Sequence, residues 1–296
     1  MSTSQTSTNM FDADSTVKIR TFCSSNDHSR KTLPGSLQYI HLYSSKARAE
    51  FAAANSNVSD GFDHGFVYIE SPGKAYVRWR NIAGEIQFCG SGAYALAWHM
   101  LKDETVTQVS LHTIHRTLIA ESSGKSNADS GAISTNPSIK GLNTASCYLS
   151  IPSFHPVEVT HFSTKTIIEG LEEAGHLYVD CTSGIYLLQL NDSETLTDTT
   201  WLASKIEQLS SLDIHGFCAF NWDSETSSGK LRYFVPWHGR DEDYVTGSIQ
   251  QYLTSLVHDK YGAQTQYWQQ ISSSSGRLLS EYRDSHIRLS GQCEQY

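Results

Sequence analysis

The chain has 296 residues, 39% of them hydrophobic and 18% charged, with a net charge of −9. That length and apolar content suffice for one large domain or two medium ones with a buried core, and they exclude wholesale disorder. No cluster of Lys and Arg offers itself to a phosphate backbone and no 18-residue apolar run spans a bilayer, which argues against nucleic-acid and membrane partners.

In chain order, Met1 to Thr16 is rich in Ser, Thr and Asn, with neither a basic start nor an apolar stretch. It reads as a disordered tail rather than a secretory signal, which points to the cytoplasm. Short alternating or β-branched runs predict strands at Lys18 to Cys23, Leu37 to Tyr43, Gly65 to Glu70, Ala75 to Arg80, Gln108 to Thr113, Arg116 to Glu121 and Cys147 to Ile151. Ala-rich Ser45 to Ala54 predicts a helix capped by Ser44 or Ser45, and Thr166 to Ala174 and Thr200 to Leu209 also fit helices. Ser122 to Asn143, rich in Ser, Gly and Asn, reads as a long surface loop. The six cysteines (23, 89, 147, 181, 218 and 293) are scattered without a C-x-x-C pair. Free thiols are expected, not a disulfide frame or a zinc site. His112 and His115 would leave opposite sides of a strand, so they do not suggest a shared metal.

An internal repeat runs through this pattern. His64-Gly65-Phe66 returns as His215-Gly216-Phe217, Gly73-Lys74 as Gly229-Lys230, and Cys89-Gly90-Ser91-Gly92 as Thr246-Gly247-Ser248. The second set follows the first by 151, 156 and 157 residues, a drift that small loop insertions explain. Each final motif opens a helix. Ala93 to Leu101 is apolar on nearly all sides and should be buried. The later helix carries Ile249, Tyr252, Leu253, Leu256 and Val257 as an amphipathic stripe. Small residues at both starts leave amides open at the positive end of the helix dipole, a ready place for a carboxylate. Gly90 to Ala95 also fits G-x-G-x-x-A, but position 112 is His112 where a dinucleotide site needs an acidic residue, and alternating βαβ units are absent. No cofactor is expected.

The same motifs carry a family resemblance. Arg78, Glu85, Phe88, Cys89 and Gly90 are spaced like the first signature of the phenazine-biosynthesis (PhzF-like) isomerase family. Glu242-Asp243-Tyr244-Val245-Thr246-Gly247-Ser248 resembles its E-D-x-x-T-G-S element, and Gln270 to Arg277 is similar to its Q…G-R segment. The resemblance covers about Lys18 to Gly291. It implies an α+β diaminopimelate-epimerase-like fold of two pseudo-symmetric lobes, each a barrel-like, mostly antiparallel sheet around a central helix. It also implies a homodimer and a metal- and cofactor-free site between the lobes, where a proton moves on a small carboxylate metabolite. Here the first lobe would be 17–157, the second 158–284, and 285–296 a strand packing back on the first lobe.

Onto this sequence the resemblance carries Asp63, Cys89 and Asp243 as candidate acid/base residues. Gly90, Ser91, Gly92, Thr246, Gly247 and Ser248 become candidate substrate-binding residues. Two departures matter. The family base is a Glu three residues before a Phe, and counting back from Phe66 gives Asp63, shorter by about 1.5 Å. Asp63 is therefore either the base or a turn residue before a strand. Ser91 stands where the family commonly has His; it can donate a hydrogen bond to a carboxylate but cannot shuttle protons. Cys89, at a helix start, should have a lowered pKa, and is either an acid/base or inert. Asp243 is either a site residue or a cap of the following turn. Glu85 reads as a brace with Arg78, and His238 as a substrate contact or a loop residue. The alternatives are an amino-acid racemase or epimerase that uses Cys89, with Thr246 a poor second acid, and a non-catalytic carboxylate-binding descendant.

Overall fold

The computed structural model describes residues 12–23, 33–123, 147–159, 171–209 and 214–296. The first part contains β1 (Ser15–Cys23), β2 (Ser36–Leu42), α1 (Lys46–Asn55), β3 (Asp63–Ser71), β4 (Lys74–Asn81), β5 (Gly84–Ile86), α2 (Gly90–Met100), β6 (Gln108–His112), β7 (Thr117–Ser122) and β8 (Cys147–Pro152). Then come β9 (Val157–Glu158), α3 (Leu171–Ala174), β10 (Gly175–Asp180), β11 (Ile185–Leu190), α4 (Thr199–Leu209), β12 (Gly216–Asp223), β13 (Ser228–Val235), β14 (Arg240–Glu242) and α5 (Gln250–Tyr261). The chain ends with β15 (Thr265–Gln270), β16 (Gly276–Arg283), β17 (His286–Ser290) and β18 (Gln292–Gln295).

The strands form one continuous mixed sheet that does not close. From one edge, the order is β18, β1, β2, β3, β4, β6, β7, β8, β17, β16, β15, β13, β12, β11, β10 and β9, with β5 hairpinned on β4 and β14 on β13. Among the described residues, only β2–β3, β4–β6, β11–β12 and β13–β15 pair in parallel. The C-terminal β17 pairs with β8, and β18 with β1.

Alternation sets which faces turn inward. In β4, Ala75, Val77 and Trp79 are buried while their neighbours are half-exposed. α2 is buried from Gly90 through Ala97, as an all-round apolar helix must be. α5 departs from the stripe read in the sequence: Ile249 precedes the helix, and Gln250, Gln251, Thr254 and Ser255 are buried alongside Leu253 and Val257. Most of these polar groups find partners, Gln250 Nε2 being the exception among the described residues. Thr254 Oγ1 lies 2.9 Å from Gln250 Oε1 and 2.8 Å from Ser280 Oγ, and Gln266 Nε2 donates to the Thr254 carbonyl at 2.8 Å. One apolar core takes in Tyr94 and Leu96 of α2, Leu253 and Val257 of α5, and Trp79 and Trp268. A second core lies around Leu202 and Leu209 of α4.

Several sequence readings are corrected. Residues 12–16 are not part of a disordered tail: Ser15 and Thr16 begin β1, the Asp14 amide donates to the Leu42 carbonyl at 2.9 Å, and Arg48 Nη1 donates to Asp14 Oδ1 at 2.6 Å. These partners come from β2 and α1, so no local pattern announces them. The two Gly-Lys pairs are expected to be equivalent turns, but the second is not a turn. Gly229 and Lys230 lie within β13 opposite Trp222 and Asn221, and the turn is 224–227. α1 is capped by Ser45, whose Oγ accepts from the Arg48 amide at 3.3 Å. α2 starts three residues before the predicted Ala93, because the Cys89 sulfur caps it by accepting the Gly92 amide at 3.2 Å. The rest of the predicted tail, the loop beyond residue 123, and the helix before Leu171 lie outside the described residues. Among the described residues, no helix is long and apolar enough to cross a membrane.

On the outward face of β1, β2 and β3 a hydrogen-bonded row joins Thr16 Oγ1, His41, His64 and Asp60. Thr16 lies 2.9 Å from His41 Nδ1, His41 Nε2 2.8 Å from His64 Nδ1, and His64 Nε2 3.0 Å from Asp60 Oδ1. Burial, with His64 second, pushes the His41 pKa from 6.5 down to about 4, against the pull of Asp60. The folded state therefore resists a proton that the unfolded chain accepts. Stability contributed at neutral pH is lost as pH falls from 6.5 through about 4. Urea unfolding of wild type and His41→Gln across that window should differ in slope, the wild type losing on the order of 1–2 kcal/mol more. Parallel curves would count against a half-buried neutral His41.

Candidate active site

The starts of α2 and α5 meet back to back. Ser91 Oγ donates to the Val245 carbonyl at 2.7 Å and accepts the Gly247 amide at 3.1 Å. The backbones are so close that a Cβ on Gly90 would stand 2.5 Å from Ser248 N and 2.7 Å from Gly247 C, and a Cβ on Gly247 would stand 3.0 Å from Gly90 C. Glycine is required at Gly90 for close approach of two main chains. Residues 90–92 and 246–248, far apart in sequence, thus form one structure.

This closeness changes which groups can meet a ligand. Ser91, read as a hydrogen-bond donor to substrate, is buried and spends its hydroxyl holding the α5 start. The Gly92 amide is taken by Cys89, the Gly247 amide by Ser91, and the Thr246 amide by Gln270 Oε1 at 2.8 Å. The Thr246 hydroxyl donates to Asp243 Oδ2 at 2.6 Å. Among the described residues, the amides of Gly90, Ser91, Ser248 and Ile249 have no protein acceptor. Helix-start amides of this kind can hold an anion.

Beside this junction lies a compact acid–base cluster. Asp63, the first residue of β3, is 9% exposed. The Cys89 thiol donates to Asp63 Oδ2 at 3.4 Å and lies 3.7 Å from Gln38 Oε1. Arg240 Nη2 stands 3.6 Å from Asp63 Oδ1, while its Nη1 donates to Asp243 Oδ1 at 2.5 Å. Asp243 also accepts the Tyr244 amide at 2.9 Å, and Gln270 Nε2 donates to the Asp243 carbonyl at 2.7 Å. Burial raises the Asp63 pKa; Arg240 opposes this, and the charge of Asp243 reinforces it. Asp63 is thus a strand residue in a desolvated pocket, not a turn residue.

Cys89 reverses its expectation. Burial first, and the Asp63 carboxylate second, push its pKa well above 9.0, and the lowering by the Gly92 amide is too weak to compensate. The helix dipole supplies only about half a charge, whereas burial removes the thiolate's hydration and Asp63 sits within contact. Iodoacetamide at neutral pH should therefore modify exposed Cys181 and leave Cys89 unmodified, as read by peptide mass spectrometry. Rapid labelling of Cys89 in the native protein would contradict this environment.

Glu85 forms a two-pronged pair with Arg78. His238 ends the short 3-10 helix Pro236–His238 and faces the His215 ring, with centroids 5.9 Å apart. Among the described residues, no group of three His, Cys, Asp or Glu side chains could hold a metal ion. Sequence reading missed Arg240 and Gln38. Gln38 did leave a signal, since Ile40 fixes the inward face of β2 and Gln38 shares it two residues away. Arg240 is followed at once by the acidic run 241–243, and nothing local shows that it also reaches Asp63.

Known proteins place this arrangement in context. No curated protein sequence matches the chain. A PhzC/PhzF phenazine-biosynthesis protein from Clostridium difficile superimposes with a TM-score of 0.67 at 19% identity, covering 95% of this chain and 96% of that one. A PhzF-family protein from Enterococcus faecalis gives 0.66 at 18%, covering 95% and 97%. A hydroxyproline epimerase from Agrobacterium vitis, with trans-4-hydroxy-L-proline bound, gives 0.52 at 11%, covering 95% and 89%. These likenesses establish an epimerase-like fold. The family described as phenazine biosynthesis-like protein matches residues 52–294, a span that contains Asp63, Cys89, Arg240, Asp243 and both helix starts, and the chain belongs to that family.

Proposed function

We propose that this protein is an isomerase that moves a proton on a carbon adjoining the carboxylate of a small metabolite. The observation that carries the reading is a buried carboxylate, Asp63, beside two abutting helix starts that keep four amides without acceptors among the described residues. A proton on such a carbon is very weakly acidic, so its removal needs a base in contact and dipoles aimed at the oxygen that gains charge. Asp63 takes the proton; the electron pair moves onto the carboxylate oxygens, which the amides of Gly90, Ser91, Ser248 and Ile249 receive. Where a carbon–carbon double bond is conjugated with that carbon, the electron pair reaches its far end, protonated Asp63 returns the proton there, and the double bond shifts by one position. Asp243, engaged by Arg240, Thr246 and the Tyr244 amide, serves as a fixed negative charge that holds Arg240 in place.

The reading includes two pseudo-symmetric lobes, 17–157 and 158–284, with barrel-like sheets around α2 and α5. The pairings support it: β2–β3 parallel, β3–β4 antiparallel and β4–β6 parallel have counterparts in β11–β12, β12–β13 and β13–β15. The epimerase that holds hydroxyproline, a small carboxylate, supports the substrate class. Racemisation by two thiols is the weaker reading, because Thr246 occupies the second position and its hydroxyl is committed to Asp243.

The test is a panel of small carboxylates incubated with the protein in heavy water. At least one should take up solvent deuterium at carbon, seen by mass spectrometry. A panel spanning amino, hydroxy and unsaturated acids with no exchange above the protein-free rate would remove the proposal.

A further inference from the structure

Arg240 is held unevenly, and the imbalance has a chemical consequence. Its side chain is 15% exposed and lies across the Tyr244 ring, 5.2 Å from the centroid. Of the five N–H donors of a guanidinium, one reaches Asp243 Oδ1 at 2.5 Å and one the Gly61 carbonyl at 2.6 Å. The others have no acceptor among the described residues. Asp63 is close enough to feel the charge at 3.6 Å, yet too far for a hydrogen bond. Asp243, by contrast, is anchored by Thr246 and the Tyr244 amide as well as by Arg240.

An anion that reaches Arg240 therefore competes with Asp63 and not with Asp243. We propose that a second carboxylate of the ligand, distinct from the one that the helix-start amides receive, docks on the unfilled donors of Arg240 and replaces Asp63 as its counter-ion, so that Asp63 becomes a stronger base only when the ligand is present. The inference rests on the isomerase reading and deepens it, by making a carboxylate on the ligand the trigger. The groups facing Asp63 set the sign. Arg240 draws its proton off, and Asp243 and buried Cys89 do not supply a replacement positive charge. Gln38 near Cys89 is neutral, as is Asn81, which bonds Asp63. Tyr233, on β13, has its pKa pushed far up by burial and then by Asp243, so it stays neutral too. Occupying Arg240 with a second anion thus offsets the nearby positive charge and adds a repulsion, while the hydrogen bonds from Cys89 and Asn81 are unchanged. Binding of the carboxylate is linked to proton uptake by Asp63 between the free and bound midpoints; above the bound midpoint Asp63 stays ionised and meets the substrate proton as a stronger base.

The experiment uses the full chain, 13C-labelled at aspartate, with sodium acetate as probe and sodium chloride at equal ionic strength as reference. The Asp63 carboxyl resonance, identified by its loss in Asp63→Asn, is titrated with pH. Acetate should move its midpoint upward in the wild type, and the dissociation constant for acetate should rise about tenfold in Arg240→Met. Arg240→Lys keeps the charge but loses the planar fork, so it should fold and bind acetate a few-fold more weakly. Acetate that fails to bind, binds equally well to Arg240→Met and Arg240→Lys, or binds without moving the Asp63 midpoint overturns the proposal. Deuterium uptake from heavy water is measured separately. Its persistence after a failed acetate titration leaves the isomerase reading standing, and its absence removes that reading whatever acetate does.

Discussion

Replacing Asp63 with Asn lowers solvent-deuterium uptake into the substrate about 1,000-fold while the protein stays folded. The magnitude is that of a lost general base held in contact with its proton. Asn matches Asp in size, so the pocket between Cys89 and Arg240 keeps its shape, and the change removes only the ability to accept a proton. Cys89→Ala is the informative companion. A buried thiol whose pKa stands well above 9.0 carries no thiolate at neutral pH, so this variant retains exchange within about tenfold. Exchange that survives in Asp63→Asn and disappears in Cys89→Ala would transfer the role to the thiol, and with it the reading to a Cys-dependent epimerase. Wild-type and variant rates measured by mass spectrometry decide between them.

Gly90→Ala destabilises the protein by about 3 kcal/mol and abolishes exchange together with it. A methyl group at this position would stand 2.5 Å from Ser248 N and 2.7 Å from Gly247 C, and the obstacle is main chain, which cannot rotate away as a side chain can. Overpacking of this kind forces a backbone shift. The shift available is separation of the α2 and α5 starts, which would also stretch the Ser91 hydrogen bonds to Val245 and Gly247. Urea unfolding gives the stability and heavy-water exchange the activity. A Gly90→Ala protein as stable and active as the wild type would mean that the two helix starts need not touch.

Much of the local architecture was legible in the sequence, because each piece is dictated by neighbours in the chain. The period-two pattern of 75–79 has one outcome on a sheet, and an apolar segment such as 93–97 has no exposed face to offer solvent. The glycine motifs also announced two helix starts. The same local logic misled wherever partners were distant. Residues 12–16 look like a tail until Leu42 and Arg48 arrive to bind them. The polar residues of α5 look solvent-facing until Ser280 and Gln266 cover them.

The candidate site divides along the same line. From its residues alone, the chain determined that Asp63, Cys89 and Asp243 stand next to glycine-rich helix starts or strand starts, since a side chain's chemical type and its place in a local motif travel with the sequence. Only the tertiary structure decided what those groups could do. It turned Ser91 from a ligand donor into a bond between two helices, raised the Cys89 pKa that a helix dipole alone would lower, and set Arg240 between two carboxylates 180 residues apart in the chain. Acidity and hydrogen-bond availability depend on hydration and on charges within a few ångströms, and those are properties of packing, which no local stretch of sequence contains.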